Sequence, residues 1–126
     1  MITIRHVPGK GRGVFAQKQF VKDEMIERAP VIILPTHQEQ FLDQTVLKDY
    51  YYQWDETTSA LALGFGSLYN HSYTPNAHYV RKHAEAILVF IALRTIEADE
   101  EITVNYNGEP LDQAPLWFHV IESAVT

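Results

Sequence analysis

The longest apolar run in this chain, AILVFIAL at positions 86–93, is only eight residues long. A membrane-crossing helix needs about 20 such residues. The opening stretch MITIRHVPGKGRG lacks the apolar core of a signal peptide. The chain is therefore expected to be soluble and cytoplasmic, with a nuclear or host-nuclear place also open, and built from many short apolar segments.

Those segments read mostly as strands. ITIRHV (2–7) alternates apolar and polar side chains, the period of a half-buried strand. GVFA (13–16) and MIERAPVIILP (25–35) are rich in β-formers, and Pro30 and Pro35 predict short strands with bends. FVKDEM (20–25) reads as a charged connection. Thr36 with Glu39 forms a capping-box pattern, and Leu42, Val46 and Tyr50 recur at helical spacing, predicting a short helix over 37–50. AHYVRK and AILVFIAL read as two further strands, ADEE (98–101) as a turn, and ITVNY (102–106) as a last strand. No stretch reads as a linker, a repeat or a low-complexity tract. The fold class is α+β, mainly β, in one domain over 1–126.

Composition narrows the partners. Sixteen acids against ten bases give a formal charge of −6. That argues against direct nucleic-acid binding and favours basic partners. Cysteine is absent, which excludes disulfides, thiolate zinc sites and cysteine nucleophiles.

Three stretches carry chemistry. In GKGRGVFA (9–16), Gly9, Gly11 and Gly13 permit positive φ and close backbone approach to a ligand. Neither the phosphate-loop nor the dinucleotide pattern is met, so a plain glycine turn stays open. In GFGSLYNHSYTPN (64–76), Asn70 and Asn76 can bond local backbone around His71, and Pro75 fixes the turn. A metal set of His71, His78 and His83 fits no zinc spacing. In EADEEITVNYNG (97–108), an acidic turn feeds a strand with Ile102 and Val104 facing the core and Thr103 and Asn105 facing the other way. Tyr106 falls where that strand stops, a position that also suits a core-edge tyrosine.

Taken in order, the glycine loop, Asn-His-Ser-x-x-Pro-Asn (70–76) and Glu-Glu-Ile-Thr-x-x-Tyr (100–106) resemble the signature of SET-domain methyltransferases. The likeness runs from about Thr3 to Gly108 and leaves 109–126 as a C-terminal flank. It implies small curved sheets with a C-terminal pseudoknot, S-adenosylmethionine as cofactor, and a lysine ε-amine of a protein or peptide as acceptor. By position, Gly11, Arg12 and Gly13 would contact the methionine portion and Asn70 its amino-acid end. His71 would meet the adenine, and Tyr106 would be the active-site tyrosine, its hydroxyl near both the cofactor's sulfonium and the incoming amine. Tyr50 would line the lysine channel, with Tyr51 and Tyr52 as competitors, and Trp117 and Phe118 would close the site or form a C-terminal hydrophobic anchor.

The chain also departs from that family. Tyr73 and the C-terminal flank lack the cysteines with which many relatives bind zinc, so no metal is expected. The channel would then be completed by the aromatic C-terminus or by a second subunit in a homodimer. Asn105 stands where an aspartate is usual. The lack of flanking recognition domains resembles bacterial or viral members. Two rival readings stay open: a non-catalytic SET-like peptide-binding module, and methylation of something other than a protein lysine.

Overall fold

Strand β1 (Ile2–Val7) turns back through residues 8–10 into β2 (Gly11–Ala16), paired from Ile2↔Ala16 to Val7↔Gly11. The hairpin needs left-handed backbone at Gly9 (φ 80°) and Gly11 (φ 85°), where a Cβ would be strained. Gly13 differs: its φ is not positive, and it is needed for space instead. The structure, a computed structural model, describes residues 1–116. Trp117 and Phe118 lie outside the described residues.

The described strands form two sheets. One has the order β1-β2-β9-β6, where β6 is Asn70–His71 and β9 is Glu101–Val104. The other has the order β4-β5-β3-β8-β7, with β3 (Met25–Pro35), β4 (Tyr51–Gln53), β5 (Thr58–Ala62), β7 (Ala77–Lys82) and β8 (Ile87–Ala92). Tyr69, Phe90, Leu88, Ile96, Ile102, Val14 and Val104 are fully buried in one core.

Pro30 does not break β3, contrary to the sequence expectation. It lies where the strand changes partners: residues 25–30 pair with β8 and residues 31–35 with β5. Its carbonyl still accepts from Leu63 N at 2.8 Å. The carbonyl of Leu63 is taken by Gly66 N at 3.0 Å. A proline costs no bond here.

The helix expected over 37–50 is also corrected. The segment is a 3-10 turn (Thr36–Gln38), a four-residue helix α1 (Glu39–Leu42) and a second 3-10 turn (Val46–Asp49). No capping box forms, because the Glu39 carboxylate accepts from the Ser59 hydroxyl instead of returning to the helix start. Thr45 ends the helix, donating to Leu42 O at 2.7 Å and accepting from Leu47 N at 3.1 Å. Such local side-chain bonds compete with helix propagation.

A short internal repeat went unread in the sequence. AQKQFVKDE (16–24) and ALRTIEADE (92–100) share Ala, a base, an apolar residue and Asp-Glu at equal spacing. Phe20 and Ile96 exchange backbone bonds at 2.8 Å. Asp23 and Asp99 both adopt φ 71°, and Glu24 and Glu100 each accept from the backbone N–H three residues earlier. Aspartate tolerates this left-handed region better than most residues.

Strand β9 positions the site. It runs antiparallel to β2 and parallel to β6, with Asn70↔Thr103 and His71↔Val104. The alternation puts Thr103 and Asn105 on the side away from Ile102 and Val104, yet all four are buried. The reason is that chain covers both faces of the strand end, so alternation no longer marks exposure.

Candidate active site

A cleft of about 1020 Å³ is lined by elements of both sheets. One wall is the β1–β2 turn with Lys10, Gly11 and Arg12, beside Asn70 and His71. The other is aromatic: Tyr50, Tyr51, Tyr52, Tyr69, Tyr79 and Tyr106. Asn70 and Tyr106, 36 positions apart in the chain, thus border one cavity.

Asn70 is held from beneath. Its Nδ2 donates to Arg12 O at 2.9 Å and to Glu101 Oε2 at 2.8 Å. The other carboxylate oxygen of Glu101 lies 3.8 Å from Lys10 Nζ. With the nitrogen committed, the amide oxygen of Asn70 is the group left for a ligand. The sequence suggested local backbone partners for Asn70 and Asn76, but both reach distant strands. Asn76 Nδ2 donates to Glu101 O at 2.7 Å, and its Oδ1 accepts from Thr103 N at 2.9 Å.

Gly13 does not line the cleft; it lies under this network. A methyl there would stand 2.5 Å from Glu101 Oε2 and 2.8 Å from Asn70 Nδ2. Both are movable side-chain ends, so Gly13→Ala should fold while pushing the amide out of place. Losing one charge-assisted bond costs about 1.5–3 kcal/mol, so ligand affinity at this wall should fall about 10- to 100-fold by calorimetry. An unchanged affinity would detach Asn70 from binding.

His71 is buried, and its Nδ1 accepts from Tyr106 N–H at 2.9 Å. A backbone N–H can only donate, so that nitrogen carries no proton. His71 therefore anchors the main chain of Tyr106. The Tyr106 hydroxyl donates to Tyr69 O at 2.7 Å. His78 and His83 lie elsewhere, His83 packed on Trp54. Among the described residues no three metal-ligating side chains converge.

Tyr51, Tyr52, Tyr69, Tyr79 and Tyr106 keep their phenol protons at neutral pH. Burial pushes Tyr106 well above the usual tyrosine range, with Tyr50, Glu101, Tyr79 and Asp49 acting in the same direction. Burial also raises Tyr52, Tyr69 and Tyr79. Tyr51 is pushed up to about 12 by burial and the nearby Asp43 and Glu39 carboxylates. Desolvation penalises the phenolate, so the cleft offers neutral donors and ring faces, not a tyrosine base.

The three adjacent tyrosines Tyr50, Tyr51 and Tyr52 all line the cleft. Tyr52 O–H donates to Gly66 O at 2.6 Å, and its ring meets Tyr79 edge-on at 5.0 Å. Tyr51 O–H donates to Asp43, and Tyr50 stands at the rim. Sequence reasoning missed Lys10, Glu101 and Tyr69. Glu101 alone had a usable signal, an acid opening a strand of buried residues.

A family model for the SET domain matches residues 11–107. This chain belongs to the SET-domain family. A Schizosaccharomyces pombe relative, the histone-lysine N-methyltransferase specific for H3 lysine-37, is 35% identical over 118 residues, covering 93% of this chain and 76% of the relative. An Aspergillus oryzae H3 lysine-4-specific histone-lysine N-methyltransferase is 30% identical, covering 77% of this chain and only 9% of that longer protein. A Plasmodium falciparum crystal structure, described as a candidate histone methyltransferase, superposes with a TM-score of 0.70 at 28% identity, covering 86% of this chain and 99% of that one.

The two departures of this SET domain now have physical roles. Tyr73 O–H donates to Ala114 O at 2.9 Å, while Gln113 Nε2 donates to Tyr73 O at 3.3 Å. These bonds tie the chain after the active site to the Asn-His loop. Asn105 Nδ2 donates to Asp112 O at 2.6 Å, and its Oδ1 accepts from Asn107 N at 3.0 Å. An aspartate could make only the second of these. No helix among the described residues is long and apolar enough to cross a membrane.

Proposed function

We propose that this SET domain is an S-adenosylmethionine-dependent protein-lysine methyltransferase, with Tyr106 at the reacting centre. The observation that carries this reading is the meeting of Asn70 and Tyr106 at one cleft, between a backbone-rich wall and an aromatic one.

The residues fit the cofactor. The exposed Gly11 and Arg12, with the Asn70 amide oxygen, suit the amino-acid end, and the His71 backbone suits the adenine. When bound, S-adenosylmethionine supplies an electrophilic methyl group on a cationic sulfur. The acceptor lysine must arrive neutral, and at pH 7.4 deprotonating a free lysine costs about 4 kcal/mol. A tyrosine-lined channel lowers that cost, because desolvation disfavours the ammonium. Ring faces also orient a cation, each contact contributing about 0.5–2 kcal/mol. Tyr106 orients and polarises as a neutral phenol, and the proton leaves to bulk water. Alignment of amine and methyl supplies most of the acceleration, since effective molarities reach about 10⁵–10⁸ M for well-oriented reactants.

Basic protein tails are the substrate class we infer, and histone H3 is the first to test. The curated relatives are named for H3 lysines, and the net charge of −6 favours encounter with a basic tail over DNA or RNA. A chromatin substrate favours the nuclear alternative over the cytoplasmic one. Trp117 and Phe118, or a second copy of the chain, would complete the channel, and 1–126 acts as one domain. Incubating the protein with labelled S-adenosylmethionine and histone octamer should place label on lysine by mass spectrometry. Cofactor binding without transfer to any histone or lysine-rich lysate protein would favour a non-catalytic module.

A further inference from the structure

Glu27 is the acid on β3 that the proposed chemistry leaves unused. The β3–β8 register slips between Met25 and Glu27, and such irregularities re-aim side chains. The carboxylate goes under residues 64–69, the segment that leads into the Asn-His motif. Oε2 accepts from Phe65 N at 2.9 Å, and Oε1 accepts from Tyr69 O–H at 2.8 Å. These partners are an amide and a phenol, not a cation, so the residue does not read as half of a surface ion pair.

The loop is shaped around this carboxylate. Gly64 adopts φ 61°, and a Cβ there would stand 2.5 Å from Glu27 Oε2. Tyr69 is 1% exposed, with its ring stacked on Phe90 at 4.2 Å and an interplanar angle of 21°. Held at both ring and hydroxyl, Tyr69 has little freedom to turn. Its main-chain oxygen is the acceptor of the Tyr106 hydroxyl at 2.7 Å.

We propose that Glu27 is a positioning residue for methyl transfer: by anchoring Tyr69 it fixes the carbonyl that aims the Tyr106 hydroxyl. This rests on the methyltransferase reading above. The cofactor wall is tied down separately, through Asn70 to Arg12 O and Glu101. Loss of Glu27 should therefore act on turnover and leave cofactor affinity in place. A misplacement of about 1 Å at a reacting centre can cost about 10²-fold in rate.

The test compares Glu27→Ala with Glu27→Gln in the full chain. Glutamine keeps the shape, accepts from Phe65 N–H, and can donate its amide to the Tyr69 hydroxyl oxygen. Glu27→Ala should lower kcat about 10- to 100-fold with the Kd for S-adenosylmethionine within about threefold of wild type, and Glu27→Gln should restore most of kcat. Should Glu27→Ala not fold, Tyr69→Phe removes only the hydroxyl and should lower kcat in the same way. A kcat for Glu27→Ala within about twofold of wild type, a parallel loss of cofactor affinity, or no rescue by glutamine would overturn the proposal.

A second readout separates this idea from the reading it rests on. In protein carrying ¹³C-labelled tyrosine, the Tyr106 ring resonance, assigned with Tyr106→Phe, should shift in Glu27→Ala and stay in Glu27→Gln. A wild-type protein inactive on every lysine substrate sinks the methyltransferase reading, yet this resonance still reports whether Glu27 positions Tyr106. An unmoved Tyr106 signal in Glu27→Ala refutes the positioning role.

Discussion

Tyr106→Phe lowers turnover about 10²–10³-fold, the usual cost of removing one oriented donor or proton-handling group at a reacting centre. The ring stays, so packing against His71 at 5.2 Å between centroids is kept. The Tyr106 N–H to His71 Nδ1 bond is main-chain and also survives. What disappears is the hydroxyl held by Tyr69 O. Cofactor affinity should change by no more than about threefold, since Asn70 and the β1–β2 turn are untouched. Equal loss of kcat and kcat/KM is the signature of an interaction made only in the transition state. The pH profile adds a check. Burial holds Tyr106 above its ordinary value, so the wild-type rate should rise with pH through ionisation of the lysine, with no phenolate limb near neutrality. Near-normal turnover in the phenylalanine variant would remove Tyr106 from the reaction.

Asn76→Ala has the largest expected effect on stability. Asn76 is 3% exposed and staples the loop before β7 to β9. Its amide donates to Glu101 O at 2.7 Å and Glu100 Oε2 at 3.2 Å, and accepts from Thr103 N at 2.9 Å. Alanine leaves a buried N–H and a buried carbonyl without their partner, at about 1–3 kcal/mol each. A loss of about 2–5 kcal/mol is a large share of the roughly 5–15 kcal/mol that holds a domain together. Thermal melting should fall by about 10 °C or more, with a matching shift in urea midpoint. Because Glu101 also carries Asn70, cofactor affinity should weaken even where the variant is fully folded. A melting temperature within about 2 °C of wild type would mean that β9 is held by its strand pairing alone.

The local grammar of the chain was legible. Alternation in ITIRHV, the apolar run at 86–93 and the turn at Asp99 gave strands and turns close to those observed. The three motifs named the family, and their residues Gly11, Arg12, Asn70, His71 and Tyr106 share one cleft with Tyr50. Residues 37–50 misled because helical spacing there competed with side-chain bonds to Ser59 and to Leu42 O. The repeat at 16–24 and 92–100 is also in the sequence, but its halves lie 76 positions apart and only the pairing of Phe20 with Ile96 gives it meaning.

By itself, the sequence determined which residues would extend, turn and hide from water, because propensity and periodicity act between near neighbours. The tertiary structure alone decided who bonds with whom: Asn70 with Arg12 and Glu101, Asn76 with Thr103, Glu27 with Tyr69, Pro30 at a change of strand partner. A buried polar group must find a partner, but which one depends on the strand that folding brings alongside, and no local pattern encodes that.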